Sequence, residues 1–231
     1  MITVKKSAIR YKDSDGTMKD SGVLCQVDVV YKDSDVVDLR KCTHMQQAFR
    51  NAIFADGTEL TILTPITWYM TTYAMKYAFN NVKGLNTLKL VGNDENVSID
   101  MEGLLYESQI ETLDLTDFKA KFKKAYDAFN KSTKLKYILG ELDFSEAESV
   151  HNAFSQCTSL EEVGFAKNTL KLSISFSNSR LLSNASIKSI IEALADLTGT
   201  TAQTLTFHAD VKAKLTEEQI ATITSKNWTL A

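Results

Sequence analysis

Apolar residues recur along the middle of the chain at intervals of 25 positions. One column holds a large apolar residue at every step, and its members are Phe54, Phe79, Leu104, Phe129 and Phe154. Two further columns keep the same step; they are Leu60, Leu85, Ile110, Leu135 and Leu160, and Leu63, Leu88, Leu113, Ile138 and Val163. Such a period is typical of repeat proteins, in which each unit buries its apolar face against the next. The pattern predicts a stack of about five units.

Within each unit the spacing changes from one type of secondary structure to another. A weaker column two residues after the third contains Leu90, Leu115, Gly140 and Phe165, and this alternation of apolar and polar positions predicts a short strand. Before the strand, apolar residues three and four positions apart, such as Met75, Ala78 and Phe79, predict a short helix. A second extended piece is predicted at Val97–Met101 and Leu172–Phe176.

Residues 1–40 do not follow the columns. They read as a strand from Ile2 to Tyr11, a turn at Asp13–Gly16 and a strand from Val23 to Tyr31, and Asp15–Gly16 is a hairpin signal. We expect a β-hairpin that either caps the first unit or attaches the chain to a larger assembly. The repeat region is assigned to residues 41–181.

Residues 182–231 also leave the period and are expected to form a C-terminal capping unit. Asn184 is the predicted N-cap of a helix that ends at Gly199, and its apolar face carries Ile187, Ile190, Ile191, Leu194 and Leu197. A strand is predicted at Thr204–His208, followed by a capping box at Thr216–Gln219 that begins a short helix carrying Ile220 and Ile223. Trp228–Leu230 precede the last residue, Ala231.

One unit carries a recognisable signature in Ala153, Phe154, Cys157, Leu160 and Val163. This spacing resembles the BspA-type leucine-rich repeats of bacterial surface proteins, and the position of Cys157 is matched by Val82, Glu107 and Ser132 at the 25-residue step. The resemblance covers about residues 45–180. It implies an α/β fold: a leucine-rich-repeat-like solenoid of about five 25-residue units with an N-terminal β-hairpin cap and a C-terminal α/β cap.

The C-terminal residues carry a second resemblance. The segments Ser186–Ile191, Leu205–Ala209, Leu215–Ala221 and Asn227–Ala231 resemble the endings of leucine-rich-repeat proteins of tailed bacteriophages and prophages of gut bacteria. The resemblance implies a virion protein of the tail or baseplate, possible homo-oligomers, and partners that are a bacterial surface glycan or protein or other virion proteins. No secretory signal peptide is visible at the N-terminus, which agrees with that setting. A bacterial cell-surface adhesin of the BspA type is the alternative.

Composition narrows the function classes. The chain is 44% hydrophobic and 24% charged with a net charge of −3, so it has no basic field for nucleic acid. No stretch approaches the ~20 apolar residues of a membrane span, and no membrane insertion is expected. Cys25, Cys42 and Cys157 match neither a disulfide framework nor a zinc spacing and are interpreted as buried thiols.

Residue patterns for catalysis are missing from the sequence. His44, His151 and His208 are scattered, phosphate-binding and nucleophile-elbow motifs do not occur, and no metal or cofactor is expected. A polysaccharide hydrolase would require two carboxylates that converge in a groove. Because no such pair is evident, the sequence favours a non-enzymatic binding or structural module.

Two sets of residues are candidates for binding. The aromatic residues Trp68, Tyr69, Tyr73 and Tyr77 have large faces suited to sugar stacking, with core packing as the other interpretation. Residues between the apolar columns of the predicted strands are expected to face outwards, and the candidates among them are Lys89, Asp114, Tyr137 and Glu162. An ordinary solvent-facing sheet is the alternative for this second set.

Overall fold

A computed structural model describes residues 2–3, 10–12, 18–20, 30–31, 34–40, 42, 44–66, 68 and 74–231. The strands in these residues are β1 (Ile2–Thr3), β2 (Arg10–Lys12), β3 (Met18–Asp20), β4 (Val30–Tyr31), β5 (Ser34–Asp38), β6 (Ile53–Leu63), β7 (Lys83–Asp100), β8 (Thr112–Lys124), β9 (Tyr137–Leu142), β10 (Glu162–Phe165), β11 (Ile174–Phe176), β12 (Gln203–Phe207) and β13 (Trp228–Leu230). The helices are α1 (Asn184–Ala193), α2 (Ala209–Lys212) and α3 (Glu217–Ser225).

The strands form mostly parallel sheets. A six-stranded sheet has the order β10-β9-β8-β7-β6-β5, and every neighbouring pair in it is parallel. A second parallel sheet has the order β11-β12-β13. Consecutive strands lie side by side and run in the same direction. Between each strand and the next, the chain therefore crosses back to the end of the sheet at which the strands begin. The α/β class predicted from the sequence is confirmed at this level.

The N-terminal strands pair in antiparallel fashion. β2 pairs with β3 on either side of residues 13–17, where the turn is predicted, although those residues lie outside the described part of the chain. β1 pairs with β4. β5, which also falls within residues 1–40, runs parallel to β6 at the edge of the six-stranded sheet.

The predicted short helix of each unit is wrong. The corresponding residues form turn segments at 45–52, 75–82, 101–108, 125–132 and 150–157, in which the backbone N–H groups alternate between two kinds of partner. The Ala78 N–H donates to Met75 O within its own segment at 3.0 Å, whereas the Phe79 N–H donates to Leu104 O of the next segment at 2.9 Å. Equivalent bonds between segments run from Phe49 to Ala78, from Leu105 to Ala128 and from Phe129 to Ala153.

The backbone dihedrals explain why the apolar spacing was misleading. Tyr77 and Asn81 have φ angles of 53° and 52°, which belong to the left-handed region and interrupt any helix. Consecutive β-turns return the chain to the same side every three to four residues, so that Met75, Ala78 and Phe79 are all buried. A helix of the same sequence would bury the same positions.

The turn segments also correct the repeat length. The first left-handed residues of the segments are Gln47, Tyr77, Gly103, Asp127 and Asn152, which lie 30, 26, 24 and 25 positions apart. The buried aromatic or leucine position is therefore occupied by Phe49, Phe79, Leu105, Phe129 and Phe154. Phe49 stacks on Phe79 with ring centroids 4.8 Å apart. Phe54 was assigned to this column wrongly because the first step is 30 residues, and Leu104 because the second step is 26 residues.

The extra residues of the first unit also shift the register of β6. Leu60 pairs with Leu88, and the buried Thr58 occupies the position opposite Leu85. The Thr58 hydroxyl donates to Ala55 O at 2.7 Å, which satisfies it within the core. From β7 onwards the predicted column of Leu88, Leu113 and Ile138 is confirmed by the pairing.

Gly140 does not belong to the fourth apolar column. The register shifts between Val163 and Phe165, and Phe165 pairs with the fully buried Leu142. Gly140 has a φ of 87°, and a Cβ at this position would lie 2.8 Å from Leu115 O. The glycine is therefore required where β9 passes close to the backbone of β8.

The C-terminal unit closes the edge of the six-stranded sheet. The hydroxyl oxygens of Ser186 and Ser189, both on α1, accept hydrogen bonds from the N–H groups of Val163 and Phe165 in β10 at 2.9 Å each. These N–H groups would otherwise be unpaired at a strand edge, where another chain can add. The helix thus covers part of the edge that β10 presents.

The boundaries of the C-terminal helices differ in part from those predicted. Ser183, rather than Asn184, is the N-cap of α1, and Leu194 ends the helix before Gly199. The capping box of α3 is confirmed, with Thr216 and Gln219 bonded reciprocally. Of its two apolar residues Ile223 is buried and Ile220 is exposed. The strand predicted at Thr204–His208 is confirmed by β12, whereas β13 was not predicted.

One apolar core runs through the sheets and turn segments from Val37 to Trp228. Phe129, Phe154, Phe176 and Phe207 form a continuous row in which successive ring centroids are 5.1, 4.7 and 6.0 Å apart. The aromatic row joins the last two turn segments to the C-terminal sheet, so that the C-terminal unit shares the core of the preceding units.

Candidate recognition surface

The outer side of the turn segments forms a surface that we call the turn face. Apolar side chains of each segment point into the core, and the intervening side chains point outwards. A groove of about 430 Å³ crosses the turn face, and its lining includes Arg50, Tyr77, Tyr106, Tyr126 and Asp127. Because these residues belong to four successive turn segments, stacking of the segments creates the groove.

Tyr77 is held in the groove from three sides. A Cβ added to Gly103 would overlap the Cε1 and Cδ1 atoms of Tyr77, so the tyrosine ring occupies the space above the glycine. The Tyr77 hydroxyl donates to Glu102 Oε1 at 3.2 Å, and Lys76 Nζ donates to Glu102 Oε2 at 2.9 Å. Burial of the phenol, together with the nearby Glu102 carboxylate, raises the pKa of Tyr77. The side chain is therefore fixed and neutral.

Tyr106 and Tyr126 line the groove beyond Gly103. Lys131 Nζ lies 5.3 Å from the ring centroid of Tyr106 and 2.8 Å from Glu107 Oε1. The Glu107 carboxylate, through its hydrogen bond, raises the pKa of Lys131. Tyr126 is 40% exposed and stacks on the imidazole of His151, with ring centroids 5.7 Å apart and an interplanar angle of 16°. Together with Tyr77, these residues present phenol groups from three successive segments.

Arg50 lies at the N-terminal side of the groove. Its Nε donates to Asn80 Oδ1 at 3.1 Å, and its Cζ lies 5.8 Å from the ring centroid of Tyr77. Asn80 is only 6% exposed, and its Nδ2 donates to Tyr106 O at 2.9 Å. The buried amide therefore connects Arg50 to the backbone of the segment that carries Tyr106.

The aromatic residues predicted for binding do not form one group. Trp68 is 6% exposed and belongs to the apolar core, so its indole is not at the surface. Tyr69 and Tyr73 lie outside the described residues. Tyr77 alone of the four lines the groove among the residues that the structure describes.

The candidate residues on the strands face outwards on the six-stranded sheet, away from the apolar core. Lys89 Nζ lies 2.6 Å from Asp117 Oδ2 and 3.7 Å from Asp114 Oδ2. Tyr137 is paired in register with Glu162, which is exposed. Lys89 and Asp114 of this set thus lie close to each other. The whole set lies on strands, whereas Tyr77 lies on a turn segment.

Arg50, Tyr106 and Tyr126 were not predicted from the sequence. They occupy outward positions of the turn segments, and outward positions carry no periodic apolar signal. Recognition of the turns would have required the recurrence of Asn, Asp and Gly at the left-handed positions, such as Asn51, Asn81 and Gly103.

The cysteines are not all free thiols. Cys42 is disulfide-bonded, so its interpretation as a buried thiol is wrong, and Cys25 lies outside the described residues. Cys157 is a fully buried free thiol whose Sγ donates to Phe129 O at 3.0 Å. Ser132, at the equivalent position of the preceding segment, donates to Leu105 O. Ser108, rather than Glu107, occupies this position in the segment before that. Cys157 is thus part of a row of small residues that bond between turn segments.

Neither a metal-binding cluster nor a membrane-spanning helix is found among the residues that the structure describes. Within them, no group of three or more His, Cys, Asp or Glu residues is arranged to hold a metal ion. None of the helices in the same part of the chain has the length and apolar character needed to cross a bilayer.

Comparisons with known proteins give no relative for this chain. No family model matches it, and neither a curated protein nor a solved structure does.

Proposed function

We propose that the chain is a leucine-rich-repeat-like solenoid that acts as a non-enzymatic recognition module, and that the groove on its turn face binds a saccharide. The observation that carries the proposal is the convergence of Tyr77, Tyr106 and Tyr126 in one groove around Gly103. A tyrosine ring offers an apolar face to the C–H groups of a sugar and a hydroxyl for hydrogen bonding. The buried Asn80 and the carboxylate of Asp127 add polar groups at the same place.

The repeated bonding between turn segments supports the solenoid. Each segment donates alternate N–H groups to the next, as Gly103 does to Tyr126 O at 3.0 Å and Asp127 to His151 O at 3.0 Å. The core is continuous across the units. Such stacking gives a rigid surface whose chemistry varies from unit to unit, which suits recognition.

The biological setting of the proposal follows from the two resemblances. A tail or baseplate protein of a phage of gut bacteria, or a bacterial surface protein, would meet polysaccharide or protein on a bacterial surface. We therefore propose a bacterial surface glycan as the ligand of the groove, with homo-oligomers or other virion proteins as further partners.

The test is binding of fluorescently labelled full-length protein to a panel of intact gut bacteria before and after removal of their surface polysaccharide. We expect strain-selective binding that is lost with the polysaccharide and is lost in a Tyr106→Ala, Tyr126→Ala variant. Tyr137→Ala is the matched control and also tests the sheet surface as the other candidate, because Tyr137 is a half-buried tyrosine on β9 that does not line the groove. Equal loss in the control, or binding that survives removal of polysaccharide, would contradict the proposal.

A further inference from the structure

The groove has opposite charges at its two ends. Arg50 belongs to the first turn segment and Asp127 to the fourth. With neighbouring segments spaced like strands of a sheet, the two residues are separated by roughly 14 Å along the stack. The three tyrosines lie on the segments from the second to the fourth. A ligand that follows the groove therefore meets the Arg50 cation first, then the phenol rings beside Glu107, whose carboxylate is paired with Lys131, and finally the carboxylate of Asp127.

Arg50 differs from the other cations nearby in that it has no carboxylate partner among the described residues. Lys76 is paired with Glu102 at 2.9 Å, and Lys131 is paired with Glu107 at 2.8 Å. Within the described residues Arg50 has no carboxylate partner, and its one side-chain hydrogen bond goes from Nε to the neutral amide of Asn80. The guanidinium thus keeps an uncompensated charge in a chain whose net charge is −3.

The bond to Asn80 also determines which atoms of Arg50 remain available. A guanidinium can bind a carboxylate through Nε and one terminal nitrogen, or through its two terminal nitrogens. With Nε occupied by Asn80, the two terminal nitrogens remain. Asn80 is buried and bonded to Tyr106 O, and the ring of Tyr77 lies beside Cζ. The arginine is therefore pre-positioned, which lowers the entropy cost of binding.

We propose that the groove is selective for acidic saccharides, with a sugar carboxylate bound by the two terminal nitrogens of Arg50. The sugar rings lie against Tyr77, Tyr106 and Tyr126, and hydroxyls at the far end donate to Asp127. A carboxylate is planar and matches the planar fork of the guanidinium. Asp127 already accepts a hydrogen bond from Asn130 Nδ2 at 2.8 Å and keeps further acceptor positions. This inference rests on the proposed saccharide-binding function and specifies the ligand class.

Calorimetric titration of the full-length protein with two pairs of probes tests the inference. The acidic probes are trigalacturonate and sialyllactose, and their neutral counterparts are the methyl esters of the same two oligosaccharides. We expect each acid to bind about tenfold or more tightly than its counterpart, as one charge-assisted bidentate pair provides. The preference should diminish when salt is raised from about 0.05 M to 0.5 M.

Variants distinguish the contribution of the Arg50 charge to affinity from that of the tyrosine rings. Arg50→Gln should lose the tenfold preference and keep the affinity for the neutral probes, while Arg50→Lys should restore only part of the preference because it lacks the fork. Tyr106→Ala should weaken both kinds of probe. The matched control is Arg180→Gln, which removes an exposed arginine that follows the last turn segment and should leave both affinities unchanged.

The outcomes distinguish this inference from the proposed function. Equal binding of acidic and neutral probes would overturn the acidic preference and leave saccharide binding intact. If the unmodified protein binds neither acidic probe, the assignment of acidic saccharides as the ligand class is overturned. The assay on intact bacteria tests saccharide binding independently. A sulfated galactotriose that binds as tightly as trigalacturonate, with the same dependence on Arg50, would overturn the carboxylate assignment.

Discussion

The aromatic ring of Tyr77 lies over the α-carbon of Gly103, its counterpart in the next turn segment. Both residues have left-handed backbones, with φ angles of 53° and 58°. Because residue 103 has no side chain, the ring of residue 77 fills the space above it, and the groove is open between Tyr77, Tyr106 and Tyr126. The proposed recognition surface thus depends on one glycine.

Gly103→Ala should destabilise the protein and displace Tyr77. Gly57→Ala is the matched control, since Gly57 also has a left-handed φ of 84° but has no atom within 4 Å of an added Cβ. The control should cost about 1 kcal/mol of unfolding free energy from the backbone alone. Urea unfolding of both variants measures the difference. An equal loss in both would mean that the ring does not rest on Gly103.

Ser183→Ala should cost about 1 kcal/mol, because the Ser183 side chain accepts a hydrogen bond from the Ser186 N–H at the start of α1. Asn184→Ala is the comparison, since Asn184 is an exposed residue of the first turn and is not the cap. It should be nearly neutral in thermal unfolding. A larger loss from Asn184→Ala would restore Asn184 as the N-cap.

Stability should decrease as the pH falls below about 6.5, and His44 should account for part of the decrease. Burial lowers the pKa of His44, and its Nδ1 accepts the N–H of Gln46 at 3.1 Å. The unfolded chain, in which the histidine has an ordinary pKa near 6.5, takes up a proton that the folded chain resists, so protonation favours unfolding. The contribution is at most about 1.4 kcal/mol per pH unit.

His44→Asn is the variant that isolates this effect. Asp100 occupies the equivalent position of a later unit and accepts the N–H of Glu102 through Oδ1, so a short carbonyl side chain can make this bond. Urea unfolding at pH 7.5 and pH 5.5 should show a smaller loss for the variant than for the parent protein. Equal losses in the two proteins would exclude His44 as a source of the pH dependence.

Cys157 should be unreactive in the folded protein. Its thiol is fully buried, and burial raises the pKa of Cys157 well above its ordinary value. Iodoacetamide at pH 8 should leave the residue unmodified until urea unfolds the chain, as measured by mass spectrometry of the peptide that contains it. Rapid labelling without denaturant would contradict its position between turn segments.

Several features of the fold were accessible from apolar spacing. Strands that recur with the repeat followed from Leu88, Leu113 and Ile138, and α3 followed from its capping box at Thr216. These features are local, or depend on burial alone. The unit boundaries could be predicted only where no residues are inserted. The extra residues of the first unit are the reason why the predicted register of β6 was wrong.

The turn segments and the groove were not accessible in the same way. Consecutive turns and a helix bury Met75, Ala78 and Phe79 alike, so burial could not separate them. The difference lies in the N–H partners, which belong to the neighbouring unit. Arg50 and Tyr126 line the same groove only because the segments stack, and neither residue recurs at the repeat period.

The stacking of the turn segments underlies both the proposed solenoid and the groove, and it can be measured directly. Scalar couplings across hydrogen bonds, recorded by NMR on uniformly labelled protein, identify the carbonyl that each amide bonds. We predict couplings from the Tyr77 amide to the Glu102 carbonyl, from Gly103 to Tyr126 and from Asp127 to His151. Couplings from Phe79 to Met75, four residues earlier as in an α-helix, would contradict the account.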